Sequence, residues 1–479
     1  MTPPLLVLTL TAILGVHSTP LDAAVRARLD ATCAEELRAG RLPGLAVVVV
    51  RGAETVYEAT LGEADREHHV PVTEDTEFEL ASNSKAFTGL ALLALLDARH
   101  LTLDVPISSV LPWLALRFGG HPATPTLAQL LHHASGIPGS ALHRLGRGDE
   151  QQNELEGSVR TLLPLELDFA PGARFEYSSV NYDVLGLVIE KLSGEPFARA
   201  LDDVLLKPAG LSHTHVASAH PGRSQAHGYK LAFGTVSAFE ASMAVGNVPA
   251  AYVVSTSRDL ARWLELQLGE VPAGPALQAA VRRSHEIGAE QTGYAAGWQV
   301  ASSGLLYHSG ENPTFSSFVS FDPQARVGVA VLTNTRSEHS QALGQQLLDT
   351  VRGRPPVAAG AAWDNNEVLD DVASGLTGLC SLTSVLAVAF GVRRSRSATL
   401  AEPRPGRHRA AAFAIFVLWI ALLLLIPVRL SGAPWSEIGL WAPPSVPTAV
   451  ASAAVSGGAL LWAWWSRGAP GPADAEMRA

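Results

Sequence analysis

An α+β fold followed by about three transmembrane helices is predicted for this chain of 479 residues. Strand-like patterns occur near both ends of the segment 24–356, and its middle, about 100–290, shows mostly helical patterns broken by Pro and Gly. Strands from both ends of a segment with helices between them predict an antiparallel sheet, flanked by helices and carrying a helical insert. After this segment, uncharged apolar stretches of spanning length predict the membrane helices.

The individual elements follow from local patterns. Residues 45–50 and 55–61 have strand-like composition, and Arg51-Gly52-Ala53-Glu54 between them is typical of a hairpin. Residues 82–99 are apolar on almost every side, which predicts a buried helix. The end of the segment carries four short predicted strands and one helix, at 297–301, 305–308, 315–321, 327–332 and 337–352.

The composition limits the possible functions. The chain has 35 Lys and Arg against 45 Asp and Glu, and this net charge of −10 argues against nucleic acid as the main partner. The two cysteines exclude a disulfide scaffold and a cysteine-based zinc module. Charged residues make up only 17% of the chain, compared with about 25% in soluble domains. This apolar surplus indicates a very large core or a part of the chain in lipid.

The N-terminal residues 1–23 are predicted to be a signal peptide. An apolar run at 5–16 precedes a possible cleavage site at 16–18, and the run is shorter than the roughly 20 residues that span a bilayer. An uncleaved anchor is the alternative, since no Lys or Arg precedes the run. Both interpretations place the next segment outside the cytoplasm.

The C-terminal region 372–466 is predicted to cross the membrane. Several arginines between its first two apolar stretches mark a cytoplasmic loop by the positive-inside rule, so everything before the first span is extracytoplasmic. A juxtamembrane linker is predicted at 357–371 and a cytoplasmic tail at 467–479. The alternative is that the apolar stretches are core helices of a soluble domain. The three predicted spans are residues 372–392, 410–428 and 446–465.

The first candidate catalytic groups are a serine and a lysine three residues apart, Ser82 and Lys85. A serine hydroxyl becomes a good nucleophile when a base takes its proton, and residues i and i+3 share one face of a helix. The pattern is common, but only Lys85 of the four lysines in this chain has a serine three positions before it. The alternative is a helix-capping serine beside a lysine with a structural role.

Two further segments carry polar groups that such a site needs. Tyr177 lies in a loop that leads into a predicted helix, and a phenol beside a cationic lysine can act as a general acid or base. His308-Ser309-Gly310 ends a predicted strand, where a glycine lets a substrate approach the backbone. His220-Pro221-Gly222 has the same pattern, so the strand context favours the later segment.

In this order, Ser82 with Lys85, Tyr177 and His308-Ser309-Gly310 resemble the serine β-lactamase and penicillin-binding-protein superfamily. The chain looks most like its class C β-lactamase and D-alanyl-D-alanine carboxypeptidase branch, over nearly all of residues 25–352. Further segments similar to the family pattern are Leu130-Leu131-His132-His133-Ala134-Ser135-Gly136-Ile137-Pro138, Pro171-Gly172, Leu185-Gly186, Lys207-Pro208-Ala209-Gly210-Leu211 and Ser255-Thr256-Ser257-Arg258-Asp259-Leu260-Ala261.

The resemblance implies a role for each matched residue. Ser82 would be the acylated nucleophile, Lys85 its proton partner, and Tyr177 the group that passes the proton to the leaving group. The backbone N–H groups of Ser82 and Glu311 would form the oxyanion hole. The two-step scheme of attack and hydrolysis implies no metal and no other cofactor.

The implied substrate-binding residues depart from the family pattern in two places. His308, followed by Ser309 and Gly310, stands where many members have lysine, and a histidine with a pKa of about 6.5 is mostly neutral at pH 7. Ser179 stands where many members have asparagine, and Asn181 lies two residues beyond it. Both changes weaken the case for an efficient β-lactamase more than the case for acyl transfer in general.

The predicted protein is therefore a membrane-anchored, extracytoplasmic serine hydrolase with an acyl-enzyme mechanism on peptide, amide, ester or lactam carbonyls. Its partners would be the lipid bilayer and a small-molecule or peptide substrate, such as a cell-wall peptide, an ester or a β-lactam. The expected location is the bacterial inner membrane with a cytoplasmic C-terminus, and the oligomeric state stays open. The alternatives are a penicillin-binding-like receptor that acylates without turnover and a carboxylesterase of the same fold.

A second group of candidate ligands is the histidine cluster of His213, His215, His220 and His227. It lacks the aspartate of a His-x-His-x-Asp pattern, and the chain has no His-Glu-x-x-His. A surface loop is predicted here rather than a zinc site.

Overall fold

The computed structural model describes seven stretches of the chain, namely residues 21–145, 155–218, 222–288, 293–355, 364–396, 406–431 and 433–465. The predicted signal peptide lies outside the described residues up to residue 20, and so do His220 and the predicted tail at 467–479. The first half of the predicted linker, 357–363, lies outside them as well.

Fifteen strands are present in the described residues. In chain order they are β1 (Gly44–Arg51), β2 (Glu54–Asp65), β3 (Val70–Pro71), β4 (Phe78–Glu79), β5 (Leu116–Phe118), β6 (His121–Ala123), β7 (Leu165–Glu166), β8 (His215–Val216), β9 (Tyr229–Ala232), β10 (Thr235–Ala238), β11 (Val253–Ser255), β12 (Gln299–Val300), β13 (Leu306–Asn312), β14 (Phe315–Asp322) and β15 (Val327–Thr333).

The α-helices of the described residues also number fifteen. In chain order they are α1 (Ala23–Ala39), α2 (Ser84–Ala98), α3 (Leu127–Leu131), α4 (Leu155–Arg160), α5 (Val180–Ser193), α6 (Phe197–Leu201), α7 (Lys207–Ala209), α8 (Val248–Ala251), α9 (Ser257–Gln267), α10 (Pro275–Ser284), α11 (His339–Val351), α12 (Asn365–Arg396), α13 (Gly406–Ser431), α14 (Trp435–Trp441) and α15 (Ser445–Trp465).

The largest sheet joins the two ends of the globular part. Its seven strands have the order β12-β13-β14-β15-β1-β2-β3 and are all antiparallel. Strand β1 lies at the junction, where Val47 pairs with Val331 of β15 on one side and with Ala59 of β2 on the other. The predicted antiparallel sheet built from both chain ends is therefore confirmed.

The four consecutive valines of β1 are buried because helices cover the sheet on both faces. Val47 and Val49 pack into the cluster formed with α1 and α11, whereas Val48 and Val50 belong to the larger core formed with the helical insert. Successive side chains of a strand point to opposite faces, so an uninterrupted apolar run suits a sheet covered on both sides. Full burial of one such side chain contributes about 1.5 to 3 kcal/mol.

The insert is less purely helical than its sequence pattern predicts. Three small sheets, β4-β11-β8, β6-β5-β7 and β9-β10, lie between its helices. Their strands have only two to four residues, so each is too short for its alternation to be recognised. Two predicted boundaries also move, because the helix expected at 82–99 begins with a 3-10 turn at Ala81–Asn83 and the strand at His308 continues to Asn312.

Three helices at the C-terminal end are long and apolar enough to cross a membrane. They cover Asn365–Arg393, Ala410–Arg429 and Ser445–Trp465, and an 18-residue window within each has a mean hydropathy of 1.8, 2.8 and 1.4, respectively. Helices α12 and α15 pack closely, since a Cβ atom added to Gly391 would lie 2.5 Å from the Trp462 ring. Length, composition and packing agree with the predicted membrane region.

The start of α12 is held against the globular part. The Asp370 carboxylate accepts hydrogen bonds from the backbone N–H groups of Phe233 (2.8 Å) and Gly234 (2.7 Å). Helix α12 begins at Asn365, so residues 365–371 of the segment predicted as a linker are helical.

A buried ion pair makes a second connection between α12 and the globular part. His339 of α11 is 1% exposed, and its ring nitrogens lie 2.6 Å from Glu36 of α1 and 3.9 Å from Glu367 of α12. Burial alone lowers the pKa of His339, but the two carboxylates outweigh burial and raise it to about 9. His339 is thus charged at neutral pH, and three helices meet at one ion pair.

Candidate active site

The candidate nucleophile lies on a rigid turn between β4 and α2. Ala81, directly before Ser82, has φ +47°, a left-handed conformation that non-glycine residues rarely adopt. The turn is held by strand β14, because Ser317 Oγ donates to Leu80 O (2.6 Å) and accepts from Asn83 Nδ2 (2.8 Å). Ser82 is partly exposed, whereas Ala81 and Asn83 are buried. The turn therefore presents the serine hydroxyl to solvent from a fixed backbone.

Lys85 lies one helical turn further and points at this hydroxyl. Its side chain is fully buried, and Nζ donates to Ser82 Oγ at 3.0 Å and to Ala250 O at 2.9 Å. Nζ also lies 5.1 Å from the centre of the Tyr177 ring. In its neutral form, an amine at this distance could take the hydroxyl proton.

Gly310 allows strand β13 to touch the nucleophile turn. A Cβ atom at this position would lie 2.3 Å from Leu80 O and 3.0 Å from Ser82 N, which no side chain could tolerate without a backbone shift. The two implied oxyanion donors, the N–H groups of Ser82 and Glu311, belong to the two segments that Gly310 brings together. Glycine is required at position 310 because the backbones of β13 and the Ser82 turn approach each other closely there, and not because the chain turns.

The His308 ring, on strand β13, is buried, and two hydrogen bonds set its tautomer. Nδ1 lies 2.6 Å from Ser309 O, which can only accept, so Nδ1 carries the proton and Nε2 accepts from the Tyr294 hydroxyl at 3.0 Å. The ring centre lies 6.0 Å from that of Tyr177. Burial, and then the charge that Lys85 carries when it is protonated, lower the pKa of His308 to about 3. His308 is therefore a neutral hydrogen-bonding group at pH 7.

This low pKa makes a prediction for the pH dependence of acylation. The rate at which an activated ester acylates Ser82 is expected to show no step from His308 between pH 5 and 8, because the ring is neutral throughout that range. The measurement is the pH profile of acylation in the wild type and in His308→Gln, and the two profiles should have the same shape. A step near pH 6.5 that is present only in the wild type would contradict the assignment.

Asn181, implied as a substrate contact, lies in the protein interior. Its side chain is fully buried, Oδ1 accepts from Ser135 Oγ at 2.6 Å, and Nδ2 donates to Nδ1 of His133 at 3.0 Å. The His133 ring in turn lies 4.5 Å from the Tyr177 ring. The Asn181 amide thus supports the tyrosine from behind, while Ser179, the N-cap of α5, is half-buried beside it.

The structure brings Ser82, Lys85, Tyr177 and His308 together, although up to 226 positions separate them in the chain (308 − 82). Two supporting groups are missing from the sequence-based site. His133 could have been found, because it lies in the matched segment 130–138. Tyr294 belongs to none of the matched segments, and its hydrogen bond to His308 and its ring contacts with His133 and Tyr177 reveal it.

Within the described residues, the members of the histidine cluster lie at separate places on the surface. His213 lies 3.7 Å from Asp259, and His227 lies 3.5 Å from Asp65. Asp65, Glu67 and His227 place possible ligand atoms within 4.8 Å of one another on the surface. Exposed acidic groups of this kind are common without a bound metal ion. The absence of a zinc site at the four histidines stays a prediction.

Comparison with known proteins places the chain in a family. The model of the Beta-lactamase family matches residues 21–352. Protein flp of Staphylococcus aureus is 28% identical over 88% of this chain and 87% of its own length. Esterase EstB of Burkholderia gladioli is 39% identical over 42% of this chain and 55% of its own length. The octameric penicillin-binding protein homologue from Pyrococcus abyssi has the same fold, with a TM-score of 0.60, 22% identity and coverage of 70% of this chain and 78% of that chain.

Proposed function

Since the chain belongs to the Beta-lactamase family, we propose that it is a serine hydrolase that works through an acyl-enzyme. Similarity to an esterase supports a hydrolase. The observation that carries the proposal is the 3.0 Å contact between Nζ of the fully buried Lys85 and Oγ of the partly exposed Ser82.

The proposed reaction has two steps. Lys85, as a neutral amine, takes the hydroxyl proton while Ser82 Oγ attacks the substrate carbonyl carbon. The N–H groups of Ser82 and Glu311 stabilise the negative charge on the carbonyl oxygen. The proton passes through the Tyr177 hydroxyl to the leaving group as its bond to the carbonyl carbon breaks. Water then attacks the acyl-Ser82 ester by the reverse proton route and releases the acid.

We infer that uncharged acyl groups, above all esters, are the preferred substrates. Penicillins and peptides ending in D-alanine carry a carboxylate, which a cationic residue would bind well. His308 is neutral at pH 7, and the Glu311 carboxylate, three residues further along β13, is held by Arg336 at 2.8 Å. Neither group attracts a substrate carboxylate, whereas an ester needs no such partner.

The test uses the full-length protein in detergent. Nitrophenyl esters, a chromogenic cephalosporin and a peptide ending in D-alanyl-D-alanine are compared as substrates, and a fluorophosphonate adduct is located by mass spectrometry. Steady ester hydrolysis with the adduct on Ser82 is expected. A permanent cephalosporin adduct without turnover of any substrate would instead favour a receptor, and fastest turnover of the cephalosporin would overturn the preference for esters.

We further propose that the three apolar helices anchor the protein in the bacterial inner membrane, with the catalytic domain extracytoplasmic, residues 1–23 acting as a signal peptide and the C-terminus in the cytoplasm. The arginines between the first two spans support this orientation. In intact cells, a membrane-impermeant thiol reagent should label Ser224→Cys, on the exposed surface of the domain, but not Ser397→Cys in the arginine-rich loop. The reverse labelling would contradict the orientation.

A further inference from the structure

Helix α14 connects the membrane region to the catalytic domain. It covers Trp435–Trp441, between the end of α13 at Ser431 and the start of α15 at Ser445. Only three residues separate it from each of these apolar helices, 432–434 and 442–444. With α13 and α15 in the bilayer, α14 must therefore lie at the membrane surface on the side of the catalytic domain.

Two cations of the catalytic domain hold the C-terminal end of α14. Lys230 Nζ donates to Gly439 O (3.2 Å) and Ala442 O (3.0 Å), and Arg336 Nη1 donates to Trp441 O (3.1 Å). The Arg336 guanidinium also lies 5.5 Å from the centre of the Trp441 ring. Positive charges are favourable at a helix C-terminus, where carbonyl groups lack helical partners. Each of the three carbonyl groups at this end of α14 therefore accepts a hydrogen bond from a cationic side chain.

The same arginine reaches the catalytic strand. Arg336 Nε donates to Glu311 Oε2 at 2.8 Å. Glu311 is the implied oxyanion residue, and it directly follows Gly310, whose backbone touches the Ser82 turn. The Arg336 side chain therefore connects Trp441 to Glu311, which directly follows the glycine that touches the Ser82 turn.

A second contact of α14 reaches the segment beside Tyr177. Glu437 Oε2 lies 3.8 Å from His143 Nδ1 and accepts from the Trp441 indole N–H at 3.2 Å. His143 belongs to the 3-10 turn Gly139–Arg144, whose first residue lies against Tyr177, since a Cβ on Gly139 would be 3.2 Å from Tyr177 O. Helix α14 thus contacts one segment beside Glu311 and another beside Tyr177.

We propose that Glu437, Trp441 and Ala442 form a membrane-side wall of the catalytic site and that the substrate is an amphiphilic ester presented at the bilayer surface. The wall lies within a few residues of the membrane helices and touches the segments on both sides of the site. A substrate whose apolar tail stays in the bilayer can therefore bring its carbonyl group to Ser82 along this wall. The proposal rests on the proposed hydrolase function and adds the substrate class to it.

Trp441→Ala is the informative change. It removes the indole but keeps the backbone carbonyl that binds Arg336, so the link to Glu311 is retained. Trp435→Ala is the matched control, because its indole N–H donates to Leu424 O of α13 and not to the catalytic domain. Trp441→Phe, which keeps an aromatic ring at the membrane surface, is the conservative variant.

The experiment measures kcat/KM of the full-length protein in phospholipid vesicles. The two substrates carry the same nitrophenyl ester, one on a short water-soluble acyl chain and one on a long chain that inserts into the bilayer. The wild type should prefer the long-chain ester by about tenfold or more, since partition into the bilayer raises its effective concentration. Trp441→Ala should lower this long-to-short ratio about fivefold or more, while Trp435→Ala and Trp441→Phe should change it less than about twofold.

The possible outcomes distinguish a failure of the membrane-presented substrate from a failure of the hydrolase function. Hydrolysis of the short ester without any preference for the long one would overturn the membrane-presented substrate and leave the hydrolase function standing. An equal loss of ratio in Trp441→Ala and Trp435→Ala would overturn the role of Trp441. Absence of hydrolysis and of a Ser82 adduct with both chain lengths would overturn the hydrolase function, and the wall proposal with it. The midpoint of thermal unfolding, compared among the variants, shows whether a loss comes from misfolding.

Discussion

Ser82→Ala is expected to lower ester hydrolysis by about ten-thousand-fold or more, because no other group then attacks the carbonyl carbon. The fluorophosphonate adduct should disappear together with turnover. The fold should remain, since the Ser82 side chain is partly exposed and its neighbours Asn83 and Ser317 keep the turn in place. The measurements are the steady-state rate and the mass of the intact labelled protein.

The matched control for this change is Ser224→Ala, an exposed serine outside the described site. It should keep both the rate and the label. Labelling that survives in Ser82→Ala would show that another residue is the nucleophile. A loss of activity in the control variant would point to damage unrelated to the hydroxyl.

Lys85→Met is expected to lower the acylation rate about a thousandfold, because the Ser82 hydroxyl loses the group that takes its proton. Methionine has a similar length and apolar character, so it fits the fully buried position without leaving a buried charge. Lys85→Arg should fail almost as severely, since a guanidinium stays protonated and cannot act as a base. The rate of fluorophosphonate labelling at Ser82 measures the acylation step directly.

Lys207→Met is the control for charge removal, because Lys207 is exposed and paired with Asp202 and Asp203. Its labelling rate should match that of the wild type. Retention of more than about a third of the wild-type rate in Lys85→Met would contradict a role of Lys85 in proton transfer. Rapid labelling in Lys85→Arg would show that only the positive charge is needed.

The strands of the main sheet and the apolar C-terminal helices could be predicted because their signals are local. The valine run of β1 and the apolar surfaces of α12, α13 and α15 can be recognised in stretches shorter than about 30 residues. The small sheets of the insert could not, since strands of two to four residues depend on partners far along the chain. That α12 already begins at Asn365 could not be predicted, because Asn365 to Asp371 is mostly polar and its attachment to Phe233 and Gly234 is a tertiary contact.

The candidate site was predictable where it depends on helix geometry or on family resemblance. Ser82 and Lys85 lie one helical turn apart, so their contact follows from spacing alone. The state of His308 was only partly predictable, because its ordinary pKa makes it mostly neutral, whereas burial and Lys85 lower that pKa to about 3. Asn181 shows the opposite limit, since its position in the motif does not reveal that its amide faces His133 and Ser135.

The sequence by itself thus determined the α+β class, the apolar C-terminal helices and the pairing of Ser82 with Lys85, because the pattern that predicts each of them is local in the chain. Only the tertiary structure decided that Tyr294 bonds to His308 and that Trp441 is linked through Arg336 to Glu311. The Arg336–Trp441 contact joins positions 105 residues apart. Such contacts depend on how distant segments pack, and spacing along the chain carries no signal for them.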